Sequence, residues 1–269
     1  MKWYKLALPG ALLFLLAIST GCTKLRARDQ LNKGVGAYRN AQFQTAIMHF
    51  QNAVALDPTL LNAKLYLATA YAQQYVPGGE SPENVKYAEQ AIAAFDDVLK
   101  MDPKNTTALA SAAQMYYNMK KFEKAQEYQR RLLKLDPNNP VPYYWIGVLD
   151  WAICYPRTQQ MRKDLKIEFS KDPKNPNALP PFPEKARAKL EDENGALVKE
   201  GLEVLQKAIE LKPNDFDTMA YINLTYRQKA DLESTASARQ ADLRQAEDWV
   251  NKALAAKKAE TTAAASAAQ

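Results

Sequence analysis

The 269-residue chain is predicted to be all-α, an array of about five helix pairs stacked side by side. Two observations carry that expectation. One helix stop is written four times, in VALDPT, LKMDPK, LKLDPN and IELKPN, with prolines at 58, 103, 137 and 213 and gaps of 45, 34 and 76 residues. The residues ahead of each proline also keep register. Five positions before it stand Ala53, Val98, Leu132 and Ala208; eight before stand Phe50, Phe95, Gln129 and Leu205; twelve before stand Ala46, Ala91, Ala125 and Gly201. Spacings of four and three lie along one helix face, where small residues admit a neighbouring helix and the large one fills the gap. Proline cannot continue a helix and biases the residue before it out of the helical region, so it sets each turn. One helix pair cannot bury its apolar face alone, so successive pairs must share a core.

This pattern resembles the tetratricopeptide repeat (TPR), a helix–turn–helix unit of 34 residues that ends in A-x3-F and P. Gly34 and Gly147 stand at the family's glycine position, replaced by Ala68, Ala113 and Asn223 elsewhere. Tyr71, Tyr116 and Tyr226 stand at its tyrosine position, where Ala37 and Asp150 do not match. The resemblance implies a right-handed α-solenoid over residues 27–258, with units 27–60, 61–105, 106–139, 140–215 and 216–258. In the second unit, QQYVPGGESPEN reads as a loop, with Ser81 capping the next helix ahead of Pro82. The fifth unit has no closing proline; its stripe of Leu243, Ala246, Val250, Ala253 and Leu254 opposes Arg239, Asp242, Glu247 and Lys252, as a terminal cap requires. Residues 259–269 offer no bulky apolar side chain and are predicted to be a disordered tail. The fourth unit carries a long proline-rich insertion, about 152–195, with a short stripe of Met161, Leu165 and Phe169. Five prolines between 173 and 183 then predict a stiff, extended, uncovered segment.

The N-terminus bears on location. Residues 1–21 join a basic MKWYK to a run of thirteen residues, Leu6–Ile18, broken by Pro9-Gly10 and short for a membrane span, so a signal peptide is expected. The run ends in STGC, which resembles a bacterial lipoprotein signal. That resemblance implies a lipid on Cys22, a linker over residues 22–26, and a protein anchored in the bacterial envelope. Thr23, standing where aspartate would signal inner-membrane retention, points to the outer membrane facing the periplasm. Ser19 and Gly21 also suit ordinary signal cleavage, and Ser19 stands where the family usually has an aliphatic residue.

Chemistry is sparse. Cys22 and Cys154 are the two cysteines, so no disulfide framework or cysteine metal set is expected, and Cys154 is expected in the core. The formal charge of +6 falls to +4 from Cys22 onward, and lysines interleave with acids, as on a solvated helix face and not a nucleic-acid surface. No nucleophile elbow, glycine-rich phosphate loop or H-E-x-x-H occurs, and the one histidine, His49, reads as structural. No catalytic residue, metal site or cofactor is therefore expected.

A surface remains. In the family, the first helix of each repeat lines a concave groove that takes protein or peptide partners. The resemblance places Tyr38, Tyr117, Tyr144, Trp151, Tyr221 and Arg227 in or at that groove, with Tyr117, Tyr144 and Trp151 expected to form one aromatic strip. The lysine and asparagine of the family's carboxylate clamp are absent: the two positions hold Leu31, Leu65, Ala110, Tyr144 and Ala220, then Val35, Thr69, Gln114, Val148 and Leu224. The expected function is a lipid-anchored interaction scaffold, since TPR lipoproteins of this build resemble assembly factors for outer-membrane proteins and pili. The alternative is an enzyme or enzyme subunit with its site between the groove and the fourth-unit insertion.

Overall fold

A computed structural model describes residues 7–168 and 179–267 of the chain. Among the described residues lie ten α-helices and no strand. The chain divides into two compact units, Met1–Lys121 and Phe122–Gln269. The first holds α1 (Ala7–Arg39), α2 (Phe43–Leu56), α3 (Leu61–Gln74), α4 (Pro82–Met101) and α5 (Thr106–Asn118); the second holds α6 (Phe122–Leu135), α7 (Pro140–Asp164), α8 (Glu184–Leu211), α9 (Phe216–Leu232) and α10 (Ala236–Ala267). In each unit, helices adjacent in sequence pack against each other, and in the second α7 also packs on α9.

The recurring stop has one geometry. α2, α4, α6 and α8 end two residues before Pro58, Pro103, Pro137 and Pro213. The intervening residue leaves the helical region, with φ/ψ of −141/91 at Asp57, −133/87 at Asp102 and −138/81 at Lys212, yet its amide still closes the last helical bond. The aspartate then holds the turn from the other side: the carboxylates of Asp57, Asp102 and Asp136 accept from the amides of Thr59, Lys104 and Asn138 at 3.0, 3.2 and 3.1 Å. Such side-chain-to-backbone bonds two residues on are what make aspartate a turn former. Where lysine replaces it, Lys212 instead pairs with Asp215, the residue whose carboxylate caps α9 through the Thr218 amide. Ser81 caps α4 by accepting from the Asn84 amide, with Pro82 in the first turn, as the sequence predicts.

The register residues are core. Phe50, Phe95 and Leu205 are fully buried, with Ala46, Ala53, Ala91 and Val98 around them. The family glycines make room for these large side chains: a Cβ on Gly34 would lie 2.4 Å from the Phe50 ring, and one on Gly147 would lie 2.4 Å from Leu205. Glycine and large residue are thus a hole and its knob, 16 residues apart in the first repeat and 58 apart in the fourth.

The fourth-unit insertion is mostly helix. α7 runs to Asp164 and α8 starts at Glu184, so both helices of the pair lengthen, and the added turns build their own core of Cys154, Phe182, Leu190, Val198 and Leu232. Met161 packs on this core, Leu165 lies past the end of α7 and is exposed, and Phe169 falls outside the described residues. Of the five prolines, Pro173 and Pro176 also fall outside the described residues, whereas Pro180, Pro181 and Pro183 are exposed, as expected, on a stretch that is nonetheless fastened to the body through its neighbours. Phe182 is buried with the Arg162 guanidinium 4.3 Å over its ring, Arg162 donates to the Pro180 carbonyl at 3.3 Å, and Arg239 donates to the Leu179 carbonyl at 2.7 Å. Asp231 on α9 ties the fastening together, 2.6 Å from Arg162 and 3.9 Å from Arg239. A proline-rich strand has few amide donors but keeps its carbonyls, and two arginines satisfy them.

Two further expectations differ from the structure. The supposed linker over residues 22–26 is helical, because α1 continues from Ala7 to Arg39 without a break. Pro9 does not interrupt it because it falls in the first turn, where no helical amide bond is lost. The tail expected to be disordered over 259–269 is helical as far as Ala267. Its alanines are the best intrinsic helix formers, and they extend a helix already nucleated by packing.

Candidate functional site

In the second unit, α7 carries Tyr144, Trp151 and Tyr155 at spacings of seven and four, which puts them on one face. Tyr221 from α9 meets Tyr144 and Trp151 edge-on, with ring centroids 5.7 Å apart in both cases and interplanar angles of 82° and 80°. Trp151 stacks on Tyr155 at 4.7 Å, and Trp145 stands edge-on to Tyr144 at 5.5 Å. Edge-to-face and offset-stacked geometries at these distances are the favourable ones for aromatic rings. Tyr144 and Tyr221 rest on Leu202, Leu205 and Ile222, so the rings are seated on a rigid floor. Tyr144, Trp151 and Tyr221 are half-buried, and Tyr155 is 40% exposed.

The structure therefore brings together Tyr144, Trp151 and Tyr221 of the six predicted groove residues. Arg227 lies six residues beyond Tyr221 on α9 and is exposed; its Nε donates to Asn223 at 3.0 Å and its Nη2 is 3.9 Å from Glu247 of α10. Tyr38 and Tyr117 belong to the first unit. Tyr38 is half-buried edge-on against Phe43 at 5.4 Å, closing the turn of its own repeat, and Tyr117 sits half-buried near the end of α5. Sequence reasoning missed Tyr155 because the family pattern stops short of the lengthened part of α7; its spacing of eleven from Tyr144 was the available signal. It also missed Tyr66, 38% exposed and stacked on Phe50 at 5.5 Å.

The first unit has a cleft of about 300 Å³ between α2, α3 and α4, lined by Gln44, Gln51, Tyr71, Glu83, Tyr87 and Gln90 among others. Its polar groups answer one another: Gln51 donates to the Tyr71 hydroxyl at 2.7 Å, and the Tyr87 hydroxyl donates to Gln44 at 3.2 Å. His49 bonds through Nδ1 to Gln30 at 2.8 Å, a structural contact between α2 and α1. Cys154 is buried as expected, and burial first, then the charge of Asp150, pushes its thiol up to about 12. A thiol held so far from ionisation is a core residue and not a nucleophile. Among the described residues, no group of three metal-ligating side chains occurs.

Helix pairs closed by one repeated turn, each glycine hole filled by a large knob, define an α-solenoid built from hairpin repeats. A family model of the tetratricopeptide repeat matches residues 88–145. Two plant relatives, Hsp70-Hsp90 organizing protein 3 of Arabidopsis thaliana and Hsp70-Hsp90 organizing protein of Triticum aestivum, are 27% and 30% identical over 113 residues, 42% of this chain. This chain spans 18% of their length. Among solved structures, MamA of Desulfovibrio magneticus RS-1 aligns with a TM-score of 0.56 at 14% identity, covering 87% of this chain and 96% of that one. YrrB, described as a TPR protein with an unusual peptide-binding site, aligns at 0.53 and 15%, covering 91% and 97%. Residues 88–145 are thus tetratricopeptide-repeat sequence, set in a fold shared with tetratricopeptide-repeat solenoids.

Proposed function

We propose that the protein is a lipid-anchored scaffold of the bacterial envelope that gathers partner proteins on its repeat helices, serving the assembly of outer-membrane proteins or pili. The observation that carries the binding half is the aromatic group of Tyr144, Trp151, Tyr155 and Tyr221, seated on a packed floor with Tyr155 40% exposed. Tyrosine and tryptophan give large contact area at low entropic cost and dominate binding energy at interfaces. The organizing proteins and YrrB support this reading, the former by a name that joins two chaperones and the latter by its peptide-binding site. The clamp lysine and asparagine positions are otherwise occupied here, so a partner would be held by apolar and aromatic contact.

Photocrosslinking from position 155 in intact cells tests the binding half. A recurrent partner is expected, and Trp151→Ala should weaken its capture about tenfold or more, as loss of about 1.4 kcal/mol does. Helicity and melting temperature are measured alongside. If Trp151→Ala instead costs several kcal/mol of stability, the residue is core and the binding role is refuted; unchanged capture with unchanged stability refutes it equally. The anchoring half rests on Gly21-Cys22 after the apolar run. Cys22→Ser is expected to release the protein from membranes or to leave an uncleaved precursor, and normal processing with normal membrane association would overturn it.

A further inference from the structure

Asp150 stands at the repeat position where the family has tyrosine, and its surroundings have no cation in contact with it. It is 1% exposed on α7. From α6, Gln126, itself 8% exposed, donates through Nε2 to Asp150 Oδ1 at 2.5 Å. Asp150 Oδ2 is buried with no hydrogen-bond partner. From α8, the bare Gly201 lets the helix backbone close in: a Cβ there would lie 3.3 Å from Asp150 Cβ and 3.6 Å from both Oδ2 and the Thr225 methyl of α9. The charged groups that face the carboxyl are Glu200 of α8 and Arg130 of α6, and these two pair with each other at 2.6 Å across the joint. From α9, the buried Thr225 approaches the same Gly201 backbone.

We propose that Asp150 is a proton-operated pin in the joint between α6, α7 and α8: neutral, it lets the three helices close, and ionised, it loosens them. A buried carboxylate with one bare oxygen and no contacting cation is strongly disfavoured, whereas a neutral carboxylic acid with a single amide partner is not. Burial first, then the charge of Glu200, pushes the carboxyl up to about 7, against the lowering effects of Gln126 and Arg130. The folded chain therefore keeps a proton between about pH 4 and pH 7 that the unfolded chain releases. The sign follows: this site's contribution to stability is full below the unfolded value and declines as pH rises toward the folded one. Over that window the unfolding equilibrium shifts toward the unfolded chain by up to about a thousandfold. Trp151 is the next residue on α7, so loosening the joint would also disturb the aromatic group.

The test is carboxyl-carbon NMR of the full chain labelled at aspartate, followed from pH 5 to 9 with the backbone amides. The Asp150 carboxyl is expected to titrate near neutral pH, with amides of α6 and α8 moving at the same midpoint. Asp150→Asn should abolish that amide transition and hold the joint closed at pH 9. Glu200→Gln, a change at a partly exposed side chain, should lower the midpoint, which keeps the idea testable even if the buried variant fails to fold. An Asp150 carboxyl that titrates in the ordinary aspartate range would overturn the proposal. So would amides of α6 and α8 that ignore its midpoint, or a Glu200→Gln midpoint equal to the parent's.

Discussion

Arg162→Ala will lower the unfolding free energy by about 3–5 kcal/mol, the cost of leaving one member of a buried ion pair behind. The Arg162 and Asp231 side chains are 5% and 11% exposed and meet at 2.6 Å. Burial pushes the Asp231 carboxyl up while Arg162 pulls it back down, so removing the guanidinium leaves a desolvated acid with only Arg239, at 3.9 Å. The same truncation frees the Pro180 carbonyl and uncovers the Phe182 ring. Arg162→Met paired with Asp231→Leu should recover most of the loss, because a packed apolar pair avoids the desolvation cost altogether. Urea denaturation of the single and double variants measures both. A loss under about 1 kcal/mol for Arg162→Ala would mean that the fastening contributes nothing.

The second large effect is in the first unit. Phe50→Ala should cost about 3–5 kcal/mol, since the ring is fully buried and its removal leaves a cavity between α1, α2 and α3. Gly34→Ala should cost about 1–3 kcal/mol by overpacking, because the added methyl would sit 2.4 Å from that ring. The two changes touch one space, so their costs should not add: Gly34→Ala is expected to be far milder in a Phe50→Leu background than alone. Strict additivity in a double-mutant cycle would show that glycine and phenylalanine are not knob and hole.

How much of this was legible depended on sequence separation. Pro58, Pro103, Pro137 and Pro213 announced the helix ends, and the small and large residues ahead of them announced the buried face. The aspartate before three of those prolines was visible in the repeat, but its role in holding the next amide is a property of the turn. Asp150 showed itself as a departure from the family's tyrosine, yet its partner Gln126 lies 24 residues away on another helix. Arg162 and Asp231 are 69 residues apart, the first in the fourth-unit insertion, where no family register exists to align it, and the second on α9 of the fifth unit. For the same reason the insertion read as an open, proline-rich segment although its end is fastened by the buried Phe182 ring and by two backbone carbonyls. The aromatic group was half legible: the family resemblance placed Tyr144, Trp151 and Tyr221 at the groove, and only the packing of α9 on α7 sets Tyr221 edge-on to both of the others.

The unbroken α1 has a mechanical consequence. Cys22 is exposed, whereas Ala27, five residues on, is fully buried in the first unit. At 1.5 Å per helical residue the two are about 7.5 Å apart along the axis. A flexible leash would let an anchored body sweep a volume that grows with its length. A helical strut of this kind has no such slack, so an acyl chain on Cys22 would press the first repeat against the lipid surface at a fixed stand-off. Such a protein would recruit only what is already at the bilayer, and would hold it there at high local concentration.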